Sequence, residues 1–171
     1  TKGDYSISYY YDTLGRQNKT IERYGPNDED LIVKTQEYDF LNRISAESVL
    51  DANDTIISKV EYTYDDAGNV FETINYTQAG KSVTQNIYDS HGVLETVIDA
   101  EGNKTVTTRK YDYRNVLGQI VAYLEVTDPQ GNVSITISDV FGRVTDKIRK
   151  NAYGKVTQKH EMAYDLNGNV R

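Results

Sequence analysis

Apolar and polar residues alternate in short runs along almost the whole chain. In Val60-Glu61-Tyr62-Thr63-Tyr64 the positions Val60, Tyr62 and Tyr64 share one parity and Glu61 and Thr63 the other. Ile135 and Ile137 alternate in the same way with Ser134, Thr136 and Ser138. A period of two puts every second side chain on one face of an extended strand, so these runs predict strands. No stretch joins helical spacing to a cap and a stop for more than a turn or two, and almost no helix is predicted. The expected class is all-β.

The runs are punctuated every thirteen residues or so by Asp-x-x-Gly, and the best copies are preceded by tyrosine. The clearest are Tyr11-Asp12-Thr13-Leu14-Gly15, Tyr64-Asp65-Asp66-Ala67-Gly68, Tyr88-Asp89-Ser90-His91-Gly92 and Tyr164-Asp165-Leu166-Asn167-Gly168. Degenerate copies occur at Tyr38-Asp39 with Asn42 in the glycine place, at Asp99–Gly102, Asp128–Gly131 and Asp139–Gly142, and at Tyr111-Asp112. The physics of a type I turn closed by a left-handed residue explains the pattern. The Asp carboxylate accepts the free amides of the turn, and Gly, or failing that Asn, takes positive φ. This is the three-residue hairpin loop. Subtracting the turn leaves roughly eight to ten residues per strand, some 25 to 30 Å long. Successive strands are expected to pair as antiparallel hairpins, with the two middle turn residues pointing into water. Tyr24-Gly25-Pro26-Asn27-Asp28-Glu29-Asp30 is expected to be a longer hairpin loop, and Tyr113-Arg114-Asn115-Val116-Leu117-Gly118 a turn lengthened by a few residues.

Composition changes this picture in one respect. Only 37% of the 171 residues are hydrophobic, mean hydropathy is -0.66, and tyrosine (15) outnumbers phenylalanine (3) with no tryptophan. That is lean for two sheets packed face to face, so stacked tyrosines are expected to supply stability while the turns set the register. A net charge of -7 disfavours a nucleic-acid partner. The sequence has no 18-residue apolar run, so no membrane insertion by this segment is predicted. With no cysteine, disulfides play no part.

Tyr62-Thr63-Tyr64-Asp65-Asp66-Ala67-Gly68-Asn69-Val70, like Tyr9-Tyr10-Tyr11-Asp12-Thr13-Leu14-Gly15-Arg16, resembles the YD repeat of the Rhs family, and the resemblance runs through essentially the full chain. It implies a curved, spiralling sheet of tandem antiparallel hairpins. Residues 1–171 would be one YD-repeat array, a fragment of a larger shell in bacterial Rhs or toxin-complex proteins that encloses a toxic C-terminal polypeptide. Its partners would be the rest of that shell and the enclosed cargo, with edge-strand self-association possible for an isolated piece. Its location, by the same resemblance, would be secreted or cell-surface. The alternative is an extracellular adhesion or carbohydrate-binding module using tyrosines such as Tyr62, Tyr64, Tyr76 and Tyr88 on solvent-facing ridges.

Candidate chemistry is sparse. His91 falls at a variable turn position and His160 in a strand, too few convergent ligands for a metal site. Asp51-Ala52-Asn53-Asp54, Asp65-Asp66 and Asp99-Ala100-Glu101 hint at calcium loops, but Tyr62 stands where the bidentate Glu would follow Asp51. Asp128-Pro129-Gln130-Gly131 resembles the start of the motif at which Rhs cores cut themselves, yet continues with Asn132-Val133 and further repeats, as a plain turn would. No catalytic residue, cofactor or metal is therefore expected, and the residues singled out are the structural turns themselves.

Overall fold

The computed structural model describes residues 5–25, 31–165 and 167–171. The expected loop at residues 24–30 lies largely outside them. The chain divides into two compact units, residues 1–85 and 86–171. The first holds β1 (Ser6–Tyr11), β2 (Gln17–Arg23), β3 (Leu31–Tyr38), β4 (Ile44–Leu50), β5 (Ile56–Tyr64), β6 (Val70–Thr77) and most of β7 (Gly80–Tyr88). The second holds β8 (Leu94–Ile98), β9 (Lys104–Arg114), β10 (Ile120–Thr127), β11 (Val133–Ser138), β12 (Val144–Lys150) and β13 (Val156–Glu161). Within each unit every strand pairs antiparallel with its neighbour in sequence, without a crossover, and no described residue is helical. This is the all-β arrangement of tandem hairpins that the alternation predicts.

Among the described residues neither unit has a second layer. The buried hydrophobic ones among them are Val33 and Ala46 in the first unit and Val121, Ile135 and Ile137 in the second, and none of their large side chains is completely enclosed. The chain exposes 12041 Å², whereas even two separate globules of half its mass would expose only roughly 10,000 Å². The little core there is lies on one face. In the second unit Tyr123 pairs with Ile137 and Glu125 with Ile135 across β10 and β11, and Ile135 pairs with Ile148 across β11 and β12. Tyr113, Tyr123, Val133 and Ile148 pack around the three buried residues. The opposite face of the same strands carries Ser134, Thr136, Lys147, Arg149, Gln158 and His160 in register.

Two readings of the turns are corrected, and further turns are added. Tyr111-Asp112 is not a turn but lies inside β9, with Tyr111 exposed. The turn instead falls at Asn115–Gly118, where Gly118 takes φ 74° and Asn115 replaces Asp, so it has ordinary length rather than extra residues. Asn151–Gly154 and Asp51–Asp54 form the same turn, the latter with Asp54 itself at φ 58°. Thr77–Gly80 departs from the type: Thr77 pairs directly with Gly80, leaving Gln78 and Ala79 as a two-residue loop.

Candidate functional site: a ladder of turns on one sheet rim

Each Asp-x-x-Gly turn is built by its own first residue. In Asp12–Gly15 the Asp12 amide donates to the Arg16 carbonyl at 2.8 Å and the Gly15 amide donates to the Asp12 carbonyl at 3.0 Å. Asp12 Oδ1 accepts the amides of Leu14 and Arg16, both at 2.9 Å. The same backbone pair of bonds recurs at Asp39, Asp51, Asp65, Asp89, Asp99, Asn115, Asp128, Asp139, Asn151 and Asp165. The left-handed position is Gly15, Asn42, Asp54, Gly68, Gly92, Gly102, Gly118, Gly131, Gly142, Gly154 and Gly168 in turn. Each of these hairpins is a type I turn closed by a left-handed residue, as its sequence predicts. The two middle residues do point outward, for Phe40 and Phe141 are 90% and 80% exposed. Asp51, Asp65 and Asp99, weighed as calcium ligands, spend their carboxylates on their own turns, and so does Asp128 in the Asp-Pro-x-Gly segment. Leu166, inside the last turn, lies outside the described residues.

Antiparallel order sends successive turns to opposite ends of the strands. In the first unit Asp12, Asp39 and Asp65 open turns on one rim, and Asp51 opens one on the other. In the second, Asp89, Asn115, Asp139 and Asp165 share a rim, opposite Asp99, Asp128 and Asn151. Every tyrosine that directly precedes a turn Asp (Tyr11, Tyr38, Tyr64, Tyr88, Tyr164) falls on that first kind of rim. The true repeat is thus two strands and one rim turn, near 26 residues, rather than thirteen.

Cross-links explain why the tyrosine is there. The residue after the left-handed position sends its side chain back to the second carboxylate oxygen: Arg16 Nε to Asp12 at 2.7 Å, Arg43 to Asp39 at 2.7 Å, and Arg143 to Asp139 at 2.8 Å. Where Asn69, Asn103, Asn132 or Asn169 holds that place, its Nδ2 does the same. The three arginines also reach onward to the next turn of their rim. Arg16 lies 4.4 Å from the Tyr38 ring centre, Arg43 4.1 Å from Tyr64, and Arg143 4.8 Å from Tyr164. The ring's hydroxyl closes the rung on the backbone just beyond the arginine: Tyr38 to the Gln17 carbonyl at 2.7 Å, Tyr64 to Ile44 at 2.6 Å, and Tyr164 to Val144 at 2.7 Å. In the first unit two rungs run consecutively, and Arg16 Nη1 also donates to Asn42 Oδ1 at 2.6 Å. Where Ser138 replaces the tyrosine before Asp139, Gln119 replaces the arginine of the preceding rim turn.

This overturns the expectation of tyrosine stacked on tyrosine. Two turns on one rim are separated by two strand spacings, ~9.6 Å, beyond the 4.5–7 Å at which rings interact. The guanidinium fills the gap. Among the described residues the ring pairs are Tyr5 with Tyr24 and Tyr113 with Tyr123. The arginine position was visible in the motif, but its role was not, because it is fulfilled 21 or 22 residues away. Shortening Arg43 and Tyr64 to alanine, singly and together, should give a coupling of about 0.5–1 kcal/mol in urea melts. Additive effects of the two substitutions would remove the ladder as a source of stability.

The rim carboxylates ionise more readily than free ones. Asp12 is lowered chiefly by the Arg16 amide, and Asp65, Asp99, Asp128 and Asp165 chiefly by their Asn partners. At Asp39 and Asp139 desolvation pulls the other way, but the arginine hydrogen bonds outweigh it. A carboxylate lowered on folding contributes stability in full above its unfolded value, near 3.9, and loses it as the pH falls through the lower folded value. The urea midpoint should therefore hold between about pH 5 and 7 and drop below about pH 4, because many turns lose their clamp over the same narrow range. Asp39→Asn should keep more stability than Asp39→Ala, since Asn115 and Asn151 make the same backbone contacts uncharged. A midpoint unmoved at pH 2.5 would contradict this account.

The tyrosines named for a recognition surface are otherwise engaged. Tyr62, Tyr64, Tyr76 and Tyr88 are half-buried, and the Tyr62 and Tyr76 hydroxyls bond Glu47 and Glu61, each at 2.9 Å. His91 and His160 are both exposed.

By fold, then, each unit is, among the described residues, a layer of antiparallel tandem hairpins braced along one rim. No family model and no curated protein matches it. Among solved structures it is similar to TcdB2-TccC3-Cdc42, at a TM-score of 0.34 and 13% identity, and to TcdB2-TccC3, at 0.33 and 13%. It is likewise similar to a Tc holotoxin pore of Photorhabdus luminescens, at 0.33 and 13%. Each likeness covers 96% of this chain, which spans 11% of the length of the chain it matches.

Proposed function

We propose that the chain is a non-enzymatic wall segment of a bacterial shell of the Rhs and toxin-complex kind, which encloses a C-terminal toxin or effector and keeps it from proteases and from its producer. The observation that carries this reading is the rim ladder on a sheet with no second layer. A partition needs in-plane stiffness and two usable faces, and the ladder provides the first while the absence of a packed layer leaves the second. The recurring Tyr-Asp-x-x-Gly register, through its resemblance to the YD repeat, supports the class. The partners are then the rest of the same wall and the enclosed polypeptide, and the setting is secreted or cell-surface. Electron microscopy of the parent polypeptide tests the idea: a closed wall around an internal cavity is expected, and a solid globule or a rod without a lumen would overturn it.

A further inference from the structure

The net charge hides an asymmetry between the units. Residues 1–85 carry eight Lys and Arg against fifteen Asp and Glu, which accounts for the whole -7, while residues 86–171 carry eleven of each. Within the neutral unit the charges are segregated. Arg143, Lys147, Arg149, Lys150, Lys155 and Lys159 fall in a stretch of seventeen residues whose one acid is Asp146.

Strand register sorts this stretch onto two faces. Ile148 and Lys159 lie behind, on the apolar side with Ile135, and Lys159 is paired there with Glu161 at 2.5 Å. In front, Thr136, Lys147 and His160 form one cross-strand row and Ser134, Arg149 and Gln158 the next, with no carboxylate in either. These six residues line a shallow groove of about 580 Å³ whose wall is completed by Ile135, Ile148, Met162 and Glu161, the one carboxylate there, which is already paired with Lys159. Among the described residues neither Lys147 nor Arg149 has an ion-pair partner. Thus two free cations stand on alternate residues of one strand, roughly 6.7 Å apart, above hydroxyl groups.

We infer that this groove is a docking site for an acidic polypeptide segment in extended conformation, its alternate carboxylates seated on Lys147 and Arg149. The spacing of alternate side chains in an extended peptide equals that of the two cations, because both chains have the same rise. Arg149 offers a fork that matches a carboxylate, and Ser134, Thr136 and Gln158 supply neutral donors beside it. A phosphate polymer fits less well. Its track needs many cations in succession, whereas this one is two rows long and flanked by the turn carboxylates Asp128 and Asp139, on a chain of net charge -7. The inference does not depend on the chain forming a wall.

Fluorescence anisotropy with a labelled peptide of alternating Glu and Gly, at low and at physiological salt, tests it on the intact chain. Saturable binding is expected, weakened by salt and by Lys147→Glu with Arg149→Glu at least about tenfold. The neutral pair Lys147→Gln with Arg149→Gln should also weaken it, while Lys34→Glu with Lys59→Glu, in the other unit, should leave it unchanged. Circular dichroism of each variant separates lost binding from lost fold. Equal affinity of the charge-reversed protein, equal binding of a Gln–Gly peptide, or tighter binding of an oligonucleotide of equal charge would each overturn the proposal. So would a salt-sensitive dimer that forms through the same residues and excludes the peptide, since the occupant would then be a second copy.

Discussion

Ile135→Asp should unfold the second unit. Ile135 is 5% exposed at the centre of the small cluster with Val121 and Ile137, and no other layer could take over its role. Ile135→Ala alone should cost about 2–4 kcal/mol, the lower end if the neighbouring Tyr123 and Ile148 close over the gap. An aspartate adds an unpaired charge with Glu125 directly across the strand pair, which raises the loss further. A unit of this size has on the order of 4–13 kcal/mol in all, so the aspartate consumes most of it. The opposite face makes the control. Thr136→Asp sits one residue along the same strand, on the polar side facing Lys147, and should be nearly neutral. Denaturant melts followed by circular dichroism decide the matter: equal losses at positions 135 and 136 would mean that the sheet has no apolar side worth the name.

The second large effect belongs to a turn. Gly131 has φ 81°, and a Cβ built there would lie 3.3 Å from Ala152 Cβ. Gly131→Val therefore meets two penalties, a left-handed backbone that β-branched residues avoid and a tight contact with the neighbouring turn on the same rim. A loss of about 2–3 kcal/mol is expected. Gly142, at φ 80° but with nothing within 4 Å of its added Cβ, isolates the backbone part, and Gly142→Ala should cost only about 1 kcal/mol. Thermal melts of the two variants should differ clearly, and identical shifts would refute the role given to Ala152.

How much of this was legible beforehand depends on the range of the interaction. Period two in Val60–Tyr64 and Ser134–Ser138, with Asp-x-x-Gly between the runs, gave class, pairing order and turn type, because each is settled within five residues. The same locality explains the lapses at Asn115, Asn151 and Asp54. The turn asks for a side-chain oxygen at its start and a residue tolerant of positive φ at its end, and Asn and Asp meet those demands as well as the commoner pair. A search by chemistry rather than by letter would have found all three. The ladder was out of reach for another reason. Arg43 touches Tyr64 only because two strands return the chain to the same rim, and nothing near Arg43 announces it. The placing of Lys147 and Arg149 on one face of β12, away from the apolar side, was similarly masked by an acidic total, although their alternate spacing was there to be counted.

Within each unit the Tyr-Asp turns share one rim, and this constrains how such an array can change in length. Removing one strand between two consecutive rim turns would send the arginine of one and the tyrosine of the next to opposite sides and break the rung between them, whereas removing two would keep it. Such an array can therefore grow or shrink by recombination only in even numbers of strands, and its evolutionary unit of currency is the hairpin.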